Sequence, residues 1–217
     1  MSKKALIIID AQNDFVDPAG ALSAPDGQSI LDPIAKLMQE DTWQCVAMTR
    51  DWHPSNHVSF AKNHGVRDFS SFTYHSPVRG REKDVQEATL WPVHCVQGTW
   101  GAKVVGQVFQ AFQSLKKPSL LVDKGFLADR EYYSGFTDIW GEHQTELQSF
   151  LEQQGVTEVY IVGFVLEYCV KHTAIDASKS GFKTNILCKY TKTINSEEEV
   201  IFKVKEELRQ RGVTLVD

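Results

Sequence analysis

The hydrophobic positions of this chain fall into short, nearly continuous runs, which longer amphipathic or polar segments separate. Runs rich in Val, Ile and Leu occupy residues 5–9, 45–49, 119–123, 158–163, 184–188 and 213–216. Continuous apolar runs of this length are typical of strands that are covered on both faces, as in parallel sheets. Several of the intervening segments are long enough for a crossover helix. The pattern therefore predicts an α/β fold.

Helical spacing of apolar residues predicts helices near 28–40, 101–115, 141–154, 168–180 and 196–211. Gly155, Gly181 and Gly212 stand where three of these helices would end, which is the usual place for a glycine stop. Alternating strands and helices indicate a three-layer α/β/α arrangement around a six-stranded, mostly parallel sheet. The length of 217 residues fits one domain over 1–217.

Residues 52–100 break the pattern, because they show little periodicity and many His, Pro, Gly, Ser and aromatic residues. Long stretches of this kind in compact domains are usually lids, metal loops or binding loops. We therefore interpret about 52–100 as a long loop region that carries metal and substrate contacts.

The charge and cysteine content of the chain indicate which kinds of partner it binds and in which cellular compartment it is found. Lys and Arg number 23 against 28 Asp and Glu, for a formal net charge of −5, and no basic cluster suggests nucleic-acid binding. No apolar stretch approaches the roughly 18 residues that a membrane span needs. The 4 cysteines lack a regular spacing and no secretory segment is recognisable, so we expect reduced thiols. We expect a cytoplasmic protein, with a nuclear or peroxisomal location left open.

Three reactive side chains each come at or soon after the end of an apolar run. Asp10 follows the first run, Lys124 the third, and Cys169 lies shortly after the fourth. Since ligands bind beyond the carboxyl ends of parallel strands, we expect these residues to meet at one edge of the sheet. A carboxylate, a cation and a thiol together favour nucleophilic catalysis. Taken singly, they could instead be a helix cap, a surface lysine and a buried apolar thiol.

The position of Cys169 adds to this interpretation, because it falls in the first turn of the helix predicted near 168–180. Free backbone N–H groups and the helix dipole at such a place favour a thiolate. The same N–H groups are suited to bind an oxyanion.

A second group of residues has the composition of a metal site. Asp51 and His53 are two apart just after a predicted strand, so their side chains point the same way in an extended segment. His94 is a natural third ligand, which gives two imidazoles and one carboxylate with open positions for water or substrate. This set also fits the iron(II) site of an oxygenase.

The reactive residues lie within longer motifs: Asp-x-Gln-Asn-Asp-Phe at 10–15, Asp-Lys-Gly at 123–125 and Gly-x-x-x-Glu-Tyr-Cys-Val at 163–170. In this order they resemble the nicotinamidases of the isochorismatase-like cysteine hydrolase superfamily. The similarity spans nearly the whole chain. Thr-Arg-Asp-Trp-His-Pro-Ser, Trp-Pro-Val-His-Cys-Val and Asp-Arg-Glu-Tyr-Tyr-Ser make it closest to the fungal members.

The resemblance implies hydrolysis of nicotinamide to nicotinate and ammonia through a thioester on Cys169, in a reaction that feeds NAD salvage. Asp10 would carry the proton and Lys124 would assist by its charge. The backbone N–H groups of Val165 and Cys169 would form the oxyanion hole, with a cis peptide between Phe164 and Val165. Relatives commonly have Ala where Val165 stands.

The resemblance also implies one divalent metal ion, most often zinc, on Asp51, His53 and His94, with His57 outside this set of ligands. Aromatic pocket positions of the family match Phe15, Trp91 and Tyr133, and Tyr168 beside the nucleophile joins them. Relatives are often homo-oligomers. Open alternatives are another amide hydrolase of the superfamily, the iron oxygenase, and a binding module without catalytic activity.

Overall fold

A computed structural model of the chain describes residues 2–195 and 197–217. The strands are β1 (Lys4–Ile9), β2 (Trp43–Asp51), β3 (Ser71–His75), β4 (Val85–Thr89), β5 (Ser119–Lys124), β6 (Glu158–Phe164), β7 (Lys183–Lys192) and β8 (Val213–Val216). The helices are α1 (Asn13–Val16), α2 (Leu31–Leu37), α3 (Gly106–Gln113), α4 (Leu147–Gln153), α5 (Lys171–Lys179) and α6 (Glu198–Gln210). A π-helical turn, Leu166–Val170, leads directly into α5.

Across these described residues the main sheet has six strands in the order β5-β2-β1-β6-β7-β8. Every neighbouring pair in it is parallel. This confirms the predicted fold class, and each predicted strand is present. The structure also confirms why the runs are continuous, since the residues of β1 from Ala5 to Ile9 are all fully buried.

Successive residues of β1 face different cores, as the two-residue period of a strand requires. Leu6 and Ile8 belong to the core on the face with α2 and α3. Ile7 and Ile9 belong to the core on the face with α4, α5 and α6. The sheet therefore forms the middle of three layers, which places its carboxyl edge between two helical layers.

The helices are shorter than the sequence predicts, mostly at their amino ends. The helix expected over 141–154 begins only at Leu147, because the carboxylate of Asp138 binds the backbone N–H groups of Trp140, Glu142 and His143 and holds a turn there. Ser196, the expected start of the last helix, lies outside the described residues. None of the described helices has both the length and the apolar character needed to cross a membrane.

The region 52–100 contains more regular structure than its composition suggests. Strands β3 and β4 pair as an antiparallel hairpin, and a short 3₁₀ helix spans Ala61–His64. Tyr74 and Leu90 are buried with Ala61 and Trp140 in a small core of their own. The residues of β4 are mostly exposed and polar, so no periodic pattern of apolar residues predicts this hairpin.

Candidate active site

The predicted convergence of strand ends occurs at the carboxyl edge of the sheet. Asp10 follows β1, Asp51 ends β2, and Lys124 ends β5 directly opposite Asp51 in the register. Cys169 lies in the π-helical turn after β6, the strand beside β1. All four side chains are buried. The fold therefore brings together groups that are up to 159 positions apart in the chain, from Asp10 to Cys169.

Lys124 is the centre of this cluster. Its Nζ lies 2.9 Å from Asp10 Oδ2 and 3.4 Å from Cys169 Sγ, contacts Asp51 Oδ1, and donates to the carbonyl of Tyr132 at 3.2 Å. Burial lowers the pKa of Lys124, but the carboxylates of Asp10 and Asp51 outweigh this effect and raise it well above its usual value. The lysine is therefore a buried cation and not a surface group.

Asp10 is held in a fixed orientation from its other side. Its backbone has φ +47°, and its N–H donates to the carbonyl of Thr49 at 3.2 Å. The Thr49 hydroxyl donates to Asp10 Oδ1 at 2.6 Å, which leaves Oδ2 facing Lys124. Burial raises the pKa of Asp10 against the opposing charge of Lys124, and the nearby Asp51 raises it further. A carboxylate of raised pKa is a better proton acceptor.

The protonation of Cys169 differs from the sequence-based expectation of a thiolate. Burial raises the pKa of the Cys169 thiol well above its usual value, and Asp10 and Asp51 add to this, while Lys124 lowers it. The group at rest is therefore a neutral thiol. The reacting atoms of Asp10, Asp51 and Cys169 lie within 4.8 Å of one another, so a carboxylate is within reach to remove the proton.

Asp51, His53 and His94 form a buried group whose ligand atoms converge. Nδ1 of His53 lies 2.9 Å from the Gly125 carbonyl, and Nδ1 of His94 lies 2.8 Å from the Pro92 carbonyl. A carbonyl oxygen can only accept, so both Nδ1 atoms carry the proton. The Nε2 atoms lie 3.6 and 3.8 Å from Asp51 Oδ2, where each can offer a lone pair to a cation when it carries no proton. Carbonyls that fix the tautomer in this way are typical of metal-binding histidines.

Charges in this group also fit a divalent cation. Burial, together with the neighbouring His53, lowers the pKa of His94 to about 4, so its imidazole is neutral. Burial lowers the pKa of His53 too, but the Asp51 carboxylate outweighs this and raises it. The raised pKa favours a second proton on His53, at Nε2, and a bound cation would take the place of that proton. Burial raises the pKa of Asp51, but Lys124 and His53 bring it well below its usual value, so the carboxylate is ionised.

His57 lies beside this group, with its ring centroid 4.1 Å from that of His53. Its Nε2 is 3.0 Å from the Arg130 carbonyl and therefore carries the proton, and its Nδ1 accepts from the Ser59 hydroxyl at 2.7 Å. Both nitrogens are thus engaged. Although His57 groups with His53 and Glu131 in space, it is not available as a ligand in this arrangement.

The glycine after Lys124 is required by this packing. Gly125 has φ +73°, and a Cβ on it would lie 2.3 Å from the His53 ring. Only glycine can adopt this backbone conformation at low cost and also leave room for the ring. The Asp-Lys-Gly motif therefore supports the lysine and the metal group at once.

A narrow, partly open cavity lies beside Cys169. Each aromatic residue expected in a substrate pocket lines it, namely Phe15, Trp91, Tyr133 and Tyr168. Asp51 and His94 reach the same cavity, as does Val165. The peptide between Phe164 and Val165 is cis, as the family resemblance implies. An aromatic cavity with a thiol and a metal-binding group on its walls is suited to a small, flat ligand.

The cavity also contains residues that the sequence analysis did not single out: Leu22, Glu131, Tyr132 and Ile194. Glu131 was within reach, because it precedes two tyrosines in the motif Asp-Arg-Glu-Tyr-Tyr-Ser. It is buried, and burial raises the pKa of its carboxyl. Thr49, the partner of Asp10, opens the motif Thr-Arg-Asp-Trp-His-Pro-Ser, but a threonine inside an apolar strand does not by itself indicate a role.

Comparisons with known proteins agree with this geometry. The isochorismatase domain family matches residues 4–217. The nicotinamidase of Saccharomyces cerevisiae is 51% identical over 99% of both chains, and that of Escherichia coli is 31% identical over 99% of this chain and 95% of its own. The crystal structure of the yeast nicotinamidase bound to the inhibitor nicotinaldehyde superposes with a TM-score of 0.94, at 49% identity over 99% of both chains.

A pyrazinamidase from Pyrococcus horikoshii, solved in complex with zinc, is also similar. It superposes with a TM-score of 0.75 at 34% identity, over 99% of both chains. Together with the arrangement of Asp51, His53 and His94, this similarity indicates a divalent metal site.

Proposed function

Because this chain belongs to the isochorismatase family, we propose that it is a nicotinamidase, which hydrolyses nicotinamide to nicotinate and ammonia. The reaction feeds NAD salvage. The observation that supports this most is the contact of Lys124 Nζ with both Asp10 Oδ2, at 2.9 Å, and Cys169 Sγ, at 3.4 Å. Cys169 itself lines the aromatic cavity. A flat aromatic amide fits such a cavity, and a thiol with its own base attacks an amide carbon.

The first half of the reaction forms a thioester. Asp10 takes the proton from Cys169 Sγ, and the resulting thiolate attacks the carboxamide carbon. Lys124 stabilises the thiolate by its charge. The backbone N–H groups of Val165 and Cys169 donate to the oxyanion of the tetrahedral intermediate. Asp10 then gives its proton to the amide nitrogen, the carbon–nitrogen bond breaks, and ammonia leaves.

The second half hydrolyses the thioester. Asp10, again unprotonated, accepts a proton from the attacking water, and the carbon–sulfur bond breaks as the second tetrahedral intermediate collapses. The proton on Asp10 returns to Cys169 Sγ, and the product leaves as nicotinate after its carboxyl proton passes to solvent. Asp10 both accepts a proton and donates one to the leaving nitrogen. Its raised pKa suits both steps, because a carboxyl group of low pKa would hold its proton too briefly to donate it.

We propose zinc as the metal, which Asp51 and the Nε2 atoms of His53 and His94 would hold. When bound, such an ion would supply Lewis-acid chemistry for a ring nitrogen or for water. Phe15, Trp91, Tyr133 and Tyr168 hold the ring. Trp91 Nε1 donates to the Tyr133 hydroxyl at 3.3 Å, and the rings of Trp91 and Tyr168 pack edge to face with centroids 4.7 Å apart.

The test is the formation of ammonia and nicotinate from nicotinamide by the wild-type protein and by Cys169→Ala. We expect Cys169→Ala to lower turnover by at least about 10³-fold, because the nucleophile is lost. Cys188→Ala is the matched control, since Cys188 is a half-buried thiol on β7 away from the cavity, and it should retain wild-type turnover.

Other outcomes would identify the alternatives. Equal turnover in the wild type and in Cys169→Ala would contradict the mechanism. Oxygen consumption with iron that is independent of Cys169 would indicate the oxygenase, and nicotinamide binding without ammonia release would indicate a binding module. Homo-oligomerisation and a cytoplasmic location, with the nucleus or peroxisome as further sites, remain predictions that light scattering and cell fractionation can check.

A further inference from the structure

Glu167 is a buried carboxylate that the proposed reaction does not use. It lies in the π-helical turn between Val165 and Cys169, and only 6% of the residue is exposed. Burial raises the pKa of its carboxyl. Such a group costs free energy unless hydrogen bonds compensate. Its Oε1 accepts the backbone N–H of Asn195 at 2.7 Å, so the turn that carries the nucleophile is tied to the segment after β7.

The residue next to Asn195 lies at the boundary of the substrate cavity. Ile194 lines the cavity, and it also lines a groove on the outer side, together with Phe69 and Val200. Trp91 and Tyr168 are likewise shared between the cavity and the groove. These three side chains therefore form the partition between the two spaces.

The three residues of the partition are held in different ways. Trp91 is fixed through its backbone N–H, which donates to the carbonyl of Ser59 at 2.7 Å, and its ring packs against Tyr168. Tyr168 belongs to the π-helical turn itself. Ile194 lies in the connection between β7 and α6, so the bond from Asn195 to Glu167 fixes the backbone beside it.

We propose that Ile194 is a specificity-determining residue for the aromatic amide and that Glu167 is its positioning residue. Glu167 holds the segment after β7 against the nucleophile's turn, and Ile194 then limits which ring substituents the cavity accepts. This inference rests on the proposed nicotinamide hydrolysis. A single methyl group in an apolar pocket changes kcat/KM by about 10- to 200-fold, so a wall of this kind is sufficient to select among ring substituents.

The test compares two substitutions at Glu167 that differ in one property. Glu167→Gln keeps an oxygen that can accept the Asn195 N–H, whereas Glu167→Met keeps a similar volume without an acceptor. The substrates are nicotinamide and its derivatives with one methyl group on each free ring carbon. We expect the wild type to disfavour at least one derivative by about tenfold or more in kcat/KM.

Glu167→Met should reduce this discrimination about tenfold, whereas Glu167→Gln should keep it within about twofold of the wild type. Ile194→Ala should reduce it as Glu167→Met does, and it decides the specificity claim even if Glu167→Met does not fold. Hydrogen exchange gives a readout that is independent of activity: the Asn195 amide should exchange faster in Glu167→Met than in Glu167→Gln.

Unchanged discrimination in Ile194→Ala, or a wild type that accepts every methylated derivative equally, would overturn the role of Ile194. Equal exchange and equal discrimination in both Glu167 variants would overturn the positioning role. If the wild type released no ammonia from nicotinamide at all, the proposed function itself would fail, while the exchange of Asn195 would still report separately on the Glu167 contact.

Discussion

Both edges of the main sheet bury carboxylates, but the pKa values of Asp10 at one edge and Glu158 at the other are shifted in opposite directions. At the carboxyl edge, Asp10 and Asp51 share the single cation of Lys124. At the amino edge, Glu158 begins β6, and its buried carboxylate accepts hydrogen bonds from several partners. Both clusters are built on adjacent strands of one sheet. The comparison shows how a cluster suited to acid–base chemistry, around Asp10, differs from a cluster that stabilises the fold, around Glu158.

The partners of Glu158 satisfy its carboxylate. Ser2 Oγ donates to Oε2 at 2.8 Å, and the Tyr160 hydroxyl, Asn185 Nδ2 and Lys183 Nζ lie 3.0, 3.1 and 3.0 Å from Oε1. Burial raises the pKa of Glu158, but these groups outweigh it and lower the pKa to about 2. The carboxylate is therefore more stable in the folded protein than in water.

At the carboxyl edge Asp51 is ionised, as Glu158 is, but Asp10 does not reach this condition. Asp10 has one hydroxyl donor, Thr49, and one cation that it shares with Asp51, and its pKa is raised instead of lowered. The Cys169 thiol also has a raised pKa. The raised pKa makes Asp10 a stronger proton acceptor, which the proposed removal of the proton from the neutral thiol needs. A well-satisfied cluster like that of Glu158 would be a poor catalyst.

We expect the largest effect from removing the shared cation, Lys124. Lys124→Met leaves two carboxylates buried without their partner, so we expect a loss of about 3 kcal/mol or more in the free energy of unfolding. We also expect turnover of nicotinamide to become undetectable. Urea denaturation and ammonia release measure the two effects.

The matched control is Lys183→Met at the amino edge. Its ammonium is paired with Glu158 but its side chain is 70% exposed, so solvent screens the pair and the stability change should be much smaller, with turnover unchanged. Similar stability losses in the two variants would contradict the view that the carboxyl edge depends on a single cation.

We expect the next largest effect on turnover from the group of Asp51, His53 and His94. Chelation, or His94→Ala, should lower turnover by more than about tenfold, because even the loss of an outer partner of a metal site costs about 10- to 100-fold. Zinc should restore the chelated wild type but not His94→Ala. Bound metal, measured on the same samples, should fall in parallel with activity. Full activity in metal-free protein would contradict a role for the ion.

Glu158→Gln should act on stability alone. We expect a loss of about 1–2 kcal/mol in the free energy of unfolding at neutral pH, because charged hydrogen bonds are replaced by neutral ones. Since the folded-state pKa of Glu158 is about 2, below its usual 4.5, this stabilisation is present above about pH 4.5 and is lost as the pH falls toward 2. Denaturation curves of both proteins should therefore converge at acid pH.

The smallest and sharpest comparison removes one hydroxyl donor at each edge. Thr49→Val takes the only hydroxyl bond from Asp10 among the described contacts, and we expect kcat to fall about tenfold, with recovery in Thr49→Ser. Tyr160→Phe takes one of several donors from Glu158, and we expect a stability loss of about 1 kcal/mol or less with unchanged kcat. Equal effects of Thr49→Val and Tyr160→Phe on kcat would contradict the view that only the carboxyl edge serves catalysis.

Much of this molecule was predictable from its sequence. Continuous apolar runs predicted the parallel sheet, because strands buried on both faces need apolar residues throughout. Asp10, Lys124 and Cys169 were recognisable because each comes at or shortly after the end of such a run. The hairpin of β3 and β4 was not recognisable, since its strands are mostly polar and its core depends on Trp140, far away in the chain.

The sequence by itself determined the elements, their order and the chemical types that meet at the carboxyl edge, because strand period and strand ends are local properties. Only the tertiary structure decided which protons these groups carry and what holds them in place. Thr49 binds Asp10 across 39 positions, and Asn195 binds Glu167 across 28. The pKa of Cys169 depends on burial and on charges from three other segments, so no local pattern can encode it.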